Sequence, residues 1–374
     1  MSGDVTMRRS ADIALLSSYP PPYGGAATHV QRLMPRLSAH RIRFTVYNAV
    51  SSSDCPPTVT SVARWRRLWL LSYLFRGHEP VVYVFSDRLA VWVGAALLAV
   101  FRGKRVIIRL RNAKLQKWLE RSRWRGRIAG WALRRATGVV CVSRALADSA
   151  KSAGVDPERI VELPGFLPPD YVAGDRTGVS PSVFEFIDAH DPVIAANGKV
   201  DWFDGQDLYG FDHLLELAAR LKPKHPRVGI VVCFWDHKPA DEARLSELRR
   251  LARAAGVGDH ILFHTEPGLF VPVLAQADVF VRPTNTDGDA NSVREALYMG
   301  IPAVASDVVE RPPGTILFRC RDSDDLVAKV EQALESTPDA AIDSSQSMKH
   351  STDSKLNAYM DFLVSIIAES NRDS

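Results

Sequence analysis

The chain has 374 residues, 46% hydrophobic and 24% charged, long enough for two soluble globular domains. Its four cysteines (Cys55, Cys141, Cys233 and Cys320) form no C-x-x-C pair, which argues against a disulfide framework or a zinc site and fits a reducing cytoplasm. The net charge is only +4, yet the pI near 8.9 hides a strongly basic first half.

The opening residues MSGDVTMRRS lack the apolar core of a secretory signal, and the longest apolar run, 90–101, is too short to span a bilayer. A first strand is predicted over 12–16, followed by a rigid turn from Pro20 to Gly25. A helix over 27–39 comes next, then strands at 43–47 and 81–85, a helix at 90–101 and a strand at 106–110. A helix closing at 131–135 precedes strands at 138–142 and 160–163. After a Pro- and Gly-containing stretch, the alternation restarts with strands at 193–196, 228–234 and 261–264 and helices at 214–221, 241–255 and 271–276. The stretch 278–307 reads as strand, polar turn, short helix from Ser292 to Met299, Gly-Pro turn and strand. A strand at 315–318 and a helix at 323–334 follow. Residues 336–353 are Ser/Asp-rich and read as a mobile loop, and 355–368 as a final amphipathic helix. Strands alternating with helices predict an α/β fold of two Rossmann-like parallel-sheet domains facing across a cleft. The predicted boundaries are 1–170, a linker at 171–191, 192–350, and a helix at 351–374 that could cross back to the first domain.

Several motifs, in order, carry a resemblance. They are the loop Pro20-Pro21-Pro22-Tyr23-Gly24-Gly25, the segment from Ser143 to Pro168, two acids eight apart (Asp287 and Glu295), and ALYMGIPAVASD at 296–307. With these the chain resembles the family 4 glycosyltransferases of the GT-B fold, from about residue 12 to 334. The resemblance implies a retaining, metal-independent transferase. It would move a sugar from a nucleotide-diphosphate donor, uridine- or guanosine-linked ahead of adenosine-linked, and need no cofactor. Asp287 would stand at the donor sugar. Glu295, placed on the first helical turn, would accept both ribose hydroxyls. The backbone N–H groups of Asn291, Ser292 and Val293 would face phosphate. Gly24 and Gly25 would let backbone approach the ligand. His264, ending a strand, would lie at the base pocket. The family's diphosphate-binding Arg and Lys are matched by Gly198-Lys199 and by Tyr209-Gly210, so Lys199 stands for one cation and the usual Lys is absent; either Lys199 serves alone or another cation such as Arg282 or Arg294 approaches. The usual His-Gly after the 106–110 strand reads Arg111-Asn112, leaving Arg109, Arg111 and His29 as acceptor-side candidates.

From 101 to 135 one acid, Glu120, stands against thirteen Lys and Arg, interleaved with Trp118, Trp124 and Trp131. Arg64-Trp65-Arg66-Arg67-Leu68-Trp69 repeats the style. Such stretches suit an anionic membrane surface, hence a lipid-pyrophosphate-linked glycan acceptor at the inner face of the plasma membrane. The alternative is a solvated basic face with its tryptophans in the core, and then a soluble acceptor. An inactive GT-B binding module is the remaining alternative. No nucleic-acid-binding signature accompanies the basic patch. The absence of G-x-G-x-x-G after the first strand argues against a dinucleotide oxidoreductase, and the absence of G-x-S-x-G against a hydrolase.

Overall fold

The computed structural model describes residues 11–372 apart from 22, 51–54, 63–65, 164, 173, 235, 267, 289 and 337. The chain divides into two compact units, one of Met1–Leu167 with Asp353–Ser374, the other of Pro168–Thr352.

The first unit holds seven parallel strands: β1 (Ile13–Ser17), β2 (Phe44–Asn48), β3 (Val59–Ser61), β4 (Val81–Val84), β5 (Arg105–Leu110), β6 (Gly138–Cys141) and β7 (Ile160–Glu162). Their spatial order is β3-β2-β1-β4-β5-β6-β7. Around them run α1 (Gly25–Ala39), α2 (Arg66–Arg76), α3 (Leu89–Arg102), α4 (Lys114–Arg121), α5 (Arg123–Arg134) and α6 (Arg144–Ser152). The inner strands β1 and β4 are buried on both faces, which is why they read as unbroken apolar runs rather than alternating ones.

The second unit opens with α7 (Pro181–Ala189) and β8 (Val193–Gly198), then the short hairpin β9 (Trp202–Phe203) and β10 (Gln206–Asp207). It continues α8 (Phe211–Leu221), β11 (Gly229–Phe234), α9 (Glu242–Ala254), β12 (Ile261–His264), α10 (Val271–Leu274), β13 (Val279–Arg282), α11 (Asn291–Met299), β14 (Ala303–Ser306), β15 (Ile316–Phe318) and α12 (Ser323–Glu335). Six of these strands form a parallel sheet in the order β12-β11-β8-β13-β14-β15. The last helix, α13 (Pro338–Arg372), starts in the second unit and ends in the first.

Two expectations are corrected. The stretch read as a linker contains α7, whose Val183, Phe184 and Ile187 pack on Val193 and Val231. The stretch read as a mobile loop, 336–353, is mostly the first half of α13. Weak helix formers are held there by tertiary contact, with Ser345 buried and its Oγ donating to the Tyr298 carbonyl at 3.0 Å.

Candidate active site

In a parallel sheet, ligands bind beyond the carboxyl ends of the strands where strand order reverses. In the second unit that point lies between β8 and β13. Arg282, the last residue of β13, bridges it. Its Nη1 donates to the backbone and side-chain oxygens of Asn197 at 3.2 and 3.1 Å. Its Nε and Nη2 donate to the two oxygens of Asp287, each at 3.1 Å. Arg311 approaches the same carboxylate from beyond β14. Its Nη1 donates to Asp287 at 2.8 Å, while its Nε is held by the Ser306 carbonyl at 3.1 Å. Thr284 Oγ1 and the Gly288 N–H add two further donors to Asp287, at 3.2 and 2.9 Å. Burial alone would push the Asp287 carboxyl up, but Arg282 and Arg311 outweigh it and hold the group below the usual carboxylate range.

Asp287, expected near the donor sugar, is already engaged within its own chain. It accepts five hydrogen bonds from its own chain, which fills the roughly four lone-pair sites a carboxylate offers. Asp287 is the centre of an Arg–Asp–Arg bridge. Arg311 escaped the sequence reading because it sits in the irregular stretch Glu310-Arg311-Pro312-Pro313, where neither period nor motif singles it out.

Two glycines explain the shape of the β8–α8 turn. A Cβ on Gly198 would lie 2.6 Å from the Tyr209 ring. Gly210 has φ 64°, and a Cβ there would lie 2.2 Å from the Pro283 carbonyl oxygen. The turn is thus pressed against the end of β13, and the Arg282 guanidinium lies 4.9 Å from the Tyr209 ring centre. Where the family pattern has a lysine, this chain stacks an arginine from another strand on an aromatic ring. Gly210→Ala is expected to destabilise the second unit by more than the roughly 1–2 kcal/mol that left-handed backbone costs a non-glycine residue, because the Pro283 clash adds to it. Gly288→Ala, where a Cβ meets nothing within 4 Å, is the near-neutral control. Hydrogen-exchange protection of β13 in the two variants checks this.

Lys199 follows Gly198 and pairs with Asp201 at 2.8 Å, half-exposed. The inserted hairpin turns through Asp204 and Gly205, both at positive φ as a type I′ turn requires. Arg244 anchors it, paired with buried Asp207 at 3.1 Å and lying 5.1 Å from the Trp202 ring centre.

Helix α11 starts beyond β13 with no side-chain cap and no acid in its first turn, as an anion-binding helix start would. Its Val293 N–H donates to the Ala290 carbonyl at 3.2 Å, and the Val293 side chain is core. Asn291 opens the helix, and Ser292 is buried behind it. Glu295 sits on the second turn, not the first, and is 5% exposed. His264 ends β12 with β11 between it and β8; Cys233 pairs in register with both His264 and Asn197, placing His264 about 10 Å from Asn197. Burial lowers the His264 pKa, keeping the ring neutral at pH 7, and its Nε2 has no hydrogen-bond partner among the described residues.

In the first unit, Gly24 and Gly25 begin α1, and a Cβ at either meets nothing within 4 Å. One turn on, His29 is buried. Its Nδ1 donates to the Gly165 carbonyl at 2.8 Å, and burial, with the Arg109 charge beside it, holds the ring neutral. Arg109, expected on the acceptor side, is 1% exposed, and its Nη1 donates to the hydroxyls of Tyr83 at 3.1 Å and Tyr359 at 3.3 Å. Arg111 is partly exposed and paired with Asp87 at 2.7 Å.

The basic stretch divides. Trp69 stacks on Tyr73 at 4.9 Å, Trp118 meets Trp92 edge-on at 5.5 Å, and Trp131 packs against the core. Trp124 is 59% exposed on α5, and Phe75 and Phe101 are also exposed at the ends of α2 and α3. Arg64 and Trp65 lie outside the described residues, as do the side chains of Arg66, Arg67 and Leu68. Among the described residues no helix is long and apolar enough to cross a membrane.

Comparison with known proteins agrees with the two-unit fold. The profile described as Glycosyltransferase Family 4 matches residues 23–171, and that described as Glycosyl transferases group 1 matches residues 191–336. No curated protein matches the sequence. Among solved structures, Anabaena Alr3699/HepE in complex with UDP-glucose is similar at 15% identity and TM-score 0.67, over 95% of this chain and 100% of that one. A UDP-forming α,α-trehalose-phosphate synthase from Burkholderia xenovorans is similar at 13% identity and TM-score 0.66, over 97% and 100%. WaaG, a glycosyltransferase of lipopolysaccharide biosynthesis, is similar at 17% identity and TM-score 0.58, over 91% and 95%. The family matches in both halves and the two parallel-sheet units place the chain in one group: it belongs to the family 4, group 1 glycosyltransferases of the GT-B fold.

Proposed function

We propose that the protein is a retaining, metal-independent glycosyltransferase that takes its sugar from a nucleotide-diphosphate donor and delivers it to a lipid-linked glycan in cell-surface polysaccharide synthesis. The observation that carries the donor reading is the buried acid Glu295 on the second turn of α11, a helix with an uncapped start, together with Lys199 and Arg282 at the ends of β8 and β13, where strand order reverses. Glu295 accepts the ribose hydroxyls, and Asn291 and Ser292 present backbone N–H groups to the diphosphate. Lys199, released from Asp201, and Arg282 on Tyr209 neutralise the charge that grows on the leaving diphosphate. Asp287 touches no substrate and fixes Arg282 and Arg311. The UDP and UDP-glucose complexes of HepE favour a uridine donor. The acceptor hydroxyl oxygen bonds to the anomeric carbon on the face from which the diphosphate departs with its C–O bonding pair, and the hydroxyl proton passes to the departing diphosphate oxygen, so configuration is kept. Proton NMR of the product should show the donor's own anomer, formed at equal rate with EDTA; the opposite anomer, or loss of turnover with EDTA, refutes this mechanism.

The exposed Trp124, Phe75 and Phe101, set among the arginines of α2, α3 and α5, support docking on an anionic membrane from the cytoplasmic side. Vesicles with 30% anionic lipid are expected to float the wild type. Trp124→Ala combined with Arg123→Glu and Arg125→Glu should cut the floated fraction at least about tenfold, since each cation near an anionic surface is worth about 1 kcal/mol. Equal flotation on neutral vesicles contradicts the docking.

A further inference from the structure

The hairpin inserted after β8 carries two aromatic rings in the open, Trp202 at 54% and Phe203 at 49% exposure. In its antiparallel register Trp202 stands opposite Asp207, and Phe203 opposite Gln206, so the two rings lie on opposite faces. Only the Trp202 face is fixed. Arg244 on α9 pairs with Asp207 at 3.1 Å and with Glu247 at 2.8 Å, and its guanidinium lies over the Trp202 ring at 5.1 Å. The indole is thereby held on one side by a cation–π contact and left open on the other. A ring so exposed adds little to folding, yet it is pre-organised, which lowers the entropy cost of binding on it.

Two half-exposed carboxylates accompany the indole. Asp201 precedes it and pairs with Lys199 at 2.8 Å, and Glu247 shares Arg244 with it. The hydrogen bond from Lys199 holds the Asp201 carboxyl below the usual range, so it is ionised at pH 7 and keeps lone pairs to accept with. The hairpin base is tied to the candidate site. The Leu208 N–H donates to the Asp201 carbonyl and the Asn285 N–H to the Leu208 carbonyl, each at 3.0 Å, and Asn285 opens the loop that carries Asp287.

Charge and size select the occupant. Residues 201–207 carry three acids and no Lys or Arg, which disfavours an anionic membrane or a nucleotide phosphate. Strands of two residues do not by themselves supply the roughly 800 Å² per partner of a stable protein interface. A neutral sugar ring suits both halves of the surface. Its C–H face packs on an aromatic ring, and its hydroxyls donate to carboxylates.

We infer that Trp202 is a saccharide platform: one sugar ring of the acceptor glycan stacks on the open face of the indole, with its hydroxyls donating to Asp201 and Glu247. The inference rests on the glycosyltransferase reading and adds to it a specificity contact outside the donor's own site.

Indole N–H NMR and calorimetry of the full chain test it with maltohexaose and cellohexaose, against sorbitol, which has hydroxyls but no ring. The Trp202 resonance, assigned by its loss in Trp202→Tyr, should shift saturably at millimolar concentration with at least one hexaose and not with sorbitol. Trp202→Ala should weaken that binding roughly tenfold or more, as loss of a stacked ring and its buried area requires. Trp202→Tyr should keep most of it, and Phe203→Ala, equally exposed on the opposite face, should leave it unchanged. The inference is overturned if neither hexaose shifts the resonance, or if Phe203→Ala weakens binding as much as Trp202→Ala. It is also overturned if Trp202→Ala instead lowers affinity for UDP or flotation on anionic vesicles. Failure of UDP and GDP to bind the wild type would strike the donor reading, with saccharide binding at Trp202 still measured directly, so the two failures are told apart.

Discussion

Asp287→Ala should cost the second unit roughly 3–5 kcal/mol, the usual penalty for removing one partner of a buried ion pair. Both guanidiniums that it joins are nearly buried, with Arg311 2% and Arg282 9% exposed at the side chain, so neither regains water when the carboxylate goes. The loss is local, at the ends of β13 and β14, and hydrogen-exchange protection there reads it. The effect has a definite pH dependence. The folded pKa of Asp287 is depressed, so its stabilisation is complete above the unfolded carboxylate pKa of about 3.9 and is lost as pH falls through the folded value. Wild type and Asp287→Ala should therefore differ most at neutral pH and converge on acidification. Activity should fall with stability, because Arg282 and Arg311 lose their fixed positions. A free sugar ligand at this position would instead lose turnover with protection unchanged.

Glu295→Gln is expected to do the reverse, leaving protection nearly unchanged while turnover collapses. The amide keeps the shape but removes the charge and one of the two acceptor oxygens. Hydrogen bonds to a charged group are worth about 1.5–3 kcal/mol, so nucleotide affinity should fall roughly 10- to 100-fold. Position sharpens the argument. Glu295 lies on the second turn of α11, one turn beyond the backbone N–H groups proposed to face the phosphate, and the ribose of the same nucleotide is proposed to lie there. A stable variant with full activity removes Glu295 from the site.

Much of this was legible in the sequence, for physical reasons that differ by element. Runs such as 81–84 and 230–234 announce strands buried on both faces, and the Gly-Pro turn at 300–302 announces the end of α11. Helix α7 was hidden by Pro181, read as a linker residue although it occupies the first helical position where its missing N–H costs nothing. The first half of α13 was hidden because Ser and Asp favour loops locally, and only burial against the second unit overrides that. In the site, the family spacing located Asp287 and Glu295 but could not give their surroundings. Whether an acid is free or saturated depends on residues such as Arg311, 24 positions away in sequence and 2.8 Å away in space. The missing lysine at Tyr209 was visible as an absence, with Arg282 and Arg294 as cations that could approach in its place; which of them lies over the Tyr209 ring depends on strand order, and it is Arg282, at 4.9 Å.

The central claim is that a nucleoside diphosphate binds the second unit through Glu295. Titration of uridine, guanosine and adenosine diphosphates into the wild type and Glu295→Gln tests it most directly. The account predicts that one of the three, uridine first, binds the wild type at submillimolar concentration and binds the variant at least tenfold more weakly, following from the lost charged hydrogen bonds. Equal affinity in the two proteins, or no binding of any diphosphate at millimolar concentration, would contradict it.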